Sequence, residues 1–213
     1  MSARRLALLR INRPAILCLI GSLLAAGSVS AQSREFYVNG KPVPERVYRA
    51  VGLMNEGLAL LDSKRLDEAK EKLAAAVRLA PDFPEAHYNL GVLLTRLGQD
   101  EAALEQFHTV VDSKADVPAA WVSLGALYIN RGKTAEALVV FDDASARFPD
   151  KTWQQIPEFY FNYGIVLGRL GRTDEAIEQV KIALRLDPDI PQIQLNLGAL
   201  YQASGNLQES IAH

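Results

Sequence analysis

Between Pro84 and Val117 the apolar residues fall into two runs separated by Leu97-Gly98-Gln99-Asp100. Ala86, Leu90, Leu93, Leu94 and Leu97 recur at steps of three and four, the spacing of one face of a helix. Ala102, Ala103, Leu104, Phe107, Val110 and Val111 repeat that spacing in the second run. Gly98 stands where the first helix must stop, because glycine enters the left-handed region without a Cβ clash. The pattern predicts a helix–turn–helix hairpin.

The same pattern returns at intervals of 34 residues, which bears on the fold before any single element does. Gly57, Gly91 and Gly125 are spaced by 34, and Gly164 and Gly198 resume the interval after a slip of five absorbed by Thr152 to Ile156. Ala69, Ala103, Ala137, Ala176 and Ser210 hold one place in the second helices. Leu73, Phe107, Phe141 and Val180 lie four residues further on. The units run 50–83, 84–117, 118–151, 157–190 and a partial 191–213.

In the third unit Trp121, Leu124-Gly125, Tyr128, Ala137, Phe141, Ala144 and Pro149 fall in one register. This resembles the tetratricopeptide repeat, a 34-residue helix pair with those residue types at those places. The resemblance covers about residues 50 to 213 and is looser elsewhere. His87 and Tyr160 take the tryptophan place, and Glu56-Gly57 replaces Leu-Gly. It implies an all-α fold, a right-handed α-α superhelical solenoid of helix–turn–helix repeats. A single hairpin cannot bury its apolar face, so several must stack.

A glycine inside a helix costs about 1 kcal/mol relative to alanine. Five at equivalent places therefore predict a close approach of paired helices, with Ala69, Ala103, Ala137 and Ala176 opposite and the aromatic residues in the seam to the next hairpin.

Residues 1–31 have another pattern. Arg4, Arg5, Arg10 and Arg13 precede an apolar run from Pro14 to Ala26, and Val29-Ser30-Ala31 offers an A-x-A-like cleavage site. The run is shorter than the roughly 20 residues of a spanning helix, so a cleaved export signal is expected, and membrane contact only if it stays uncleaved. Residues 32–49 form a linker or N-terminal cap, in which Asn39-Gly40 signals a tight turn and Pro42 and Pro44 weaken a second strand.

Cleavage changes the charge. The chain has 23 Lys+Arg and 25 Asp+Glu; losing four leader arginines leaves 19 against 25, a net of −6. That opposes nucleic-acid binding, which needs a basic surface. Cys18 is the only cysteine, so the mature chain relies on its core rather than on disulfides. An exported, cysteine-free solenoid points to a bacterial periplasm, or to secretion.

No catalytic constellation accompanies the helices. The glycines do not follow a phosphate-loop order, and His87, His108 and His213 show no HExxH pairing. His87 is expected in the core, and Ser123 and Ser145 lack a patterned base and acid. Neither enzyme activity nor a cofactor or metal is predicted.

The resemblance also implies a concave groove lined by the first helices and faced by the residue two before each contact glycine. That place holds Asn55, Asn89, Ser123, Asn162 and Asn196. Asparagine is a poor helix former, so its recurrence has two readings. The amides either meet the backbone of an extended peptide, or bridge neighbouring hairpins and local backbone. Tyr88 and Phe161 stand one place earlier, within an apolar strip that either lines the groove or belongs partly to the core, and Arg96 and Arg169 lie farther along the helices. The expected partner is a protein or extended peptide, in an envelope assembly. The alternatives are self-association through open solenoid edges, giving a homo-oligomer, and the regulatory part of a longer protein. Because the last unit stops within its second helix, the residues after Leu207 are expected to be the least stable.

Overall fold

The computed structural model describes residues 36–113, 115–148 and 156–206. The expected signal segment, the insertion that begins at Thr152 apart from Ile156, and the tail after Leu207 lie outside the described residues. Two compact units follow each other, one ending at Val117 and one beginning at Pro118.

The first unit opens with a hairpin of β1 (Phe36–Val38) and β2 (Lys41–Val43). Asn39 and Gly40 both have positive φ, 52° and 73°, the pair of angles that a two-residue hairpin turn demands. Pro42 does not break the second strand. It faces Tyr37 between the Val38–Lys41 and Phe36–Val43 pairs, a place where an antiparallel ladder needs no N–H donor. Four helices follow: α1 (Glu45–Asp62), α2 (Leu66–Leu79), α3 (Pro84–Arg96) and α4 (Asp100–Asp112). α1 starts at Glu45, inside the stretch expected as a linker, and the Phe36 ring lies 5.1 Å from that of Tyr48. Arg46 reaches Asp82 in the α2–α3 loop through both guanidinium nitrogens.

The second unit contains α5 (Pro118–Asn130), α6 (Thr134–Arg147), α7 (Pro157–Arg169), α8 (Thr173–Leu186) and α9 (Pro191–Ala203). Proline opens α3, α5, α7 and α9, where its missing N–H would be unpaired in any case. The described residues are almost entirely helical, in paired repeats. Among them no helix is long and apolar enough to cross a membrane.

Each first helix ends in the same way. Gln99 N donates to Leu94 O at 2.9 Å across Gly98, whose φ is 71°. Lys133, Arg172 and Asn206 repeat this bond across Gly132, Gly171 and Gly205. The closure satisfies a helix-end carbonyl and turns the chain back. In the first hairpin Lys64 takes the glycine place at φ 60°, a conformation that strains a side-chain-bearing residue.

The contact inside each hairpin differs from the expected glycine–alanine pairing. A Cβ placed on Gly57 would sit 2.9 Å from Leu73 Cγ, and on Gly91 2.7 Å from Phe107 Cε1. On Gly125 it would meet Phe141 Cζ at 2.4 Å, and on Gly164 Val180 Cγ2 at 2.5 Å. The bulky residue therefore lies over the glycine. The alanine contributes its carbonyl oxygen, 3.2 Å from that Cβ position for Ala69 and Ala176. The reason is reach: a longer side chain four residues on, leucine, valine or phenylalanine, spans the gap that a methyl group leaves. Phe141 also meets the next hairpin, 5.5 Å from the Phe159 ring and 5.7 Å from Tyr163.

Tyr163 adds a polar tie, its hydroxyl donating to Asp142 Oδ1. Partial burial first, then this hydrogen bond, push its pKa up from 10 to about 12.

Two outcomes follow from these contacts. Gly125→Ala should destabilise the chain by up to about 2 kcal/mol, since overpacking costs about 1–3 kcal/mol and improved helix propensity returns about 1. Gly52→Ala, where nothing lies within 4 Å of the new methyl, should stabilise by up to about 1 kcal/mol in the same urea titration. The second concerns pH. The Tyr163 proton is held more tightly in the folded chain, so its stabilisation is complete below pH 10 and lost as pH rises towards about 12. Urea midpoints measured across that window should fall less steeply for Tyr163→Phe than for the parent chain.

Candidate functional site

The first helices adjoin one another within each unit. Cα atoms of α1 and α3, of α5 and α7, and of α7 and α9 approach within 8 Å. Residues at equivalent places of the repeat therefore line up in rows across neighbouring inner helices.

In the unit ending at Val117 that face is closed. Met54, Leu58, Tyr88 and Val92 are buried, and the Tyr88 ring lies 6.2 Å from that of Phe107. Asn89 is 2% exposed. Its Nδ2 donates to Glu85 O at 2.9 Å, one turn back, and lies 3.1 Å from Met54 Sδ on α1. The amide thus bridges its own helix and the neighbouring hairpin, and the apolar strip here is core. Asn55 is half-buried, and Arg96 is exposed at the end of α3.

The unit beginning at Pro118 is more open on the same face. Phe161 and Ile165 are half-buried on α7, as are Val122, Ser123 and Ala126 on α5. Leu195 on α9 is 75% exposed, Ala199 is exposed and Asn196 is half-buried. Asn162 is 8% exposed, and Phe161 rests on the buried cluster that includes Leu167, Ile193 and Leu197. Arg169 is exposed, but its Nη1 donates to Ile129 O at 2.9 Å, which ties the end of α7 to α5. None of the nine inner places in this unit carries an ionisable side chain.

The expected groove residues therefore separate. Tyr88 and Asn89 are closed into the first unit, whereas Phe161 and Asn196 share a partly open face with Leu195. The sequence places Leu195 in the apolar strip with Met54, Tyr88, Val122 and Phe161, though not among the expected site residues. Its signal was there, a leucine at the place of Tyr88 and Phe161, but its exposure depends on what packs over α9.

The remaining polar groups are structural. His87 is buried, with Nδ1 2.8 Å from Gln106 Oε1 and Nε2 2.9 Å from Pro81 O, joining α3 to α4 and to the preceding loop. Ser145 donates to Phe141 O of its own helix at 2.8 Å, which spends the hydroxyl proton that a nucleophile would give to a base. Among the described residues no group of three His, Cys, Asp or Glu side chains could hold a metal ion.

The chain is similar to known repeat proteins. Sequence models of the tetratricopeptide repeat match residues 54–118 and 101–152, and a related one, described as TPR repeat, matches 166–205. Human Protein O-mannosyl-transferase TMTC1 is 24% identical over 194 residues, covering 91% of this chain and 22% of that protein. The chain spans only about a fifth of the length of the first curated relatives it matches. Among solved structures, MamA from Desulfovibrio magneticus RS-1 superposes with a TM-score of 0.67 at 21% identity, over 78% of this chain and 90% of the other. YrrB, a TPR protein with an unusual peptide-binding site, superposes with a TM-score of 0.63 at 20% identity, over 76% and 81%. These structures share the fold. With the repeat matched over more than half of its length, the chain belongs to the tetratricopeptide repeat family.

Proposed function

We propose that this chain is a protein-interaction module that holds an extended segment of a partner along α5, α7 and α9. Tetratricopeptide repeat proteins are protein-interaction scaffolds and in general non-catalytic. The observation that carries the reading is the partly open face on which Leu195, 75% exposed, continues the row of Phe161 beside the amide of Asn196. Apolar side chains give such a face burial to offer, and amides both donate to and accept from a peptide backbone. The peptide-binding site named for YrrB shows that this fold can host one.

The proposal includes the setting. Residues 1–31 act as an export signal, and the mature chain works in the bacterial envelope, where a thiol-free helical core forms no stray disulfides. Its net charge of −6, from 19 basic and 25 acidic residues, disfavours nucleic acid as the partner.

The test uses the chain as bait in envelope extract. Leu195→Asp and Asn196→Ala should each reduce capture of the partner at least about tenfold, the effect of losing an interface hot spot, with unchanged helical circular dichroism. Asn89→Ala should instead lower stability by about 1–2 kcal/mol, by removing a buried amide from its hydrogen bond, and leave capture intact. Unchanged capture with Leu195→Asp would remove the proposal. A concentration-dependent dimer in light scattering that Leu195→Asp dissolves would assign the face to self-association.

A further inference from the structure

Resting on that reading, we infer that the α5–α7–α9 face takes an uncharged partner segment in the polyproline II conformation, with an apolar side chain at every third residue. Two features of the face set the class of occupant.

The first is charge. Charged residues make up 23% of the chain, yet the middle turns of these three helices carry none on this face, where Leu195 and Ala199 lie open to solvent; Glu158 and Arg169 stand at the two ends of α7. Arg169, at the end of α7, is turned towards α5 by its bond to the Ile129 carbonyl. A charged residue laid between those ends would give up hydration with no counter-charge beside it. An uncharged one gives up nothing of the kind.

The second is pitch. Packed helices have axes about 8–10 Å apart, and the approach of α5 to α7 and of α7 to α9 within 8 Å between Cα atoms agrees with that. Val122, Phe161 and Leu195 occupy one place of the repeat, so the apolar row advances by about that distance per helix. A polyproline II segment has three residues per turn and rises about 3.1 Å per residue, so one side returns about every 9 Å. A β-strand points alternate residues to one side, at about 7 Å or about 13 Å, and matches neither the row nor its neighbours. The polyproline II backbone also makes no internal hydrogen bonds, which leaves its N–H and C=O groups for the Asn196 amide and the Ser123 hydroxyl.

Two end-blocked probe peptides of identical composition decide the matter. One repeats Leu-Pro-Ser, with leucine at every third place; the other gathers the same residues so that its leucines stand two places apart in a single block. Titrated against the full chain, the first should bind at least about tenfold more tightly. Its affinity should hold from about 50 to 500 mM salt, over which ion-pair binding is screened away. Leu195→Asp should weaken it by a similar factor. Equal or reversed affinities, or tighter binding of versions with Lys or Glu in place of Ser, would overturn this inference. If those versions lose affinity with Leu195→Asp, the interaction face itself stands. Should neither peptide bind, the inference fails; should Leu195→Asp also leave partner capture unchanged, the proposed function fails with it.

Discussion

Four glycines in first helices lie under four bulky residues in second helices, and the rest of each unit depends on that contact. Leu73, Phe107, Phe141 and Val180 occupy space that a Cβ on Gly57, Gly91, Gly125 or Gly164 would claim. Each glycine weakens its own helix by about 1 kcal/mol, which is repaid by burying a large side chain against bare backbone. The close approach leaves the second helix with one exposed flank, covered by the next first helix: α2 adjoins α3, α6 adjoins α7 and α8 adjoins α9. Rings such as Phe141 serve both contacts, over Gly125 and against Phe159. The first helices come to lie side by side as a consequence, and the candidate site is the face they share.

Much of this was legible in the sequence because its signals are local. The period of 34, the prolines that open helices and the glycines at helix ends act within a few residues of themselves, so hairpin boundaries follow directly. Which residue faces the glycine was not legible. Alanine and the bulky residue one turn later share a helix face, and only the distance between helix axes selects the longer one. Two local rules also yielded to context. Pro42 sits where the ladder needs no donor, and Lys64 accepts a positive φ that Gly98 and its equivalents adopt without strain.

The candidate site was legible by place and not by exposure. Asn89 and Asn196 hold one position of the repeat, yet one amide is enclosed between α3 and α1 while the other is half-open on α9. Burial is a property of the neighbourhood, and a single repeat pattern does not encode it. Tyr88 and Leu195 differ in the same sense, closed in one unit and exposed in the other. The periodic signal thus names the face, and the packing decides which part of it a partner can reach.

A double-mutant cycle on Gly125→Ala and Phe141→Leu measures the glycine contact directly. A methyl forced against the ring should cost less once the ring is replaced, so the pair should be more stable than the sum of the single changes by about 1 kcal/mol or more. Additive effects within about 0.3 kcal/mol would mean that the two residues do not compete for one space, and would contradict the packing from which the inner face is built.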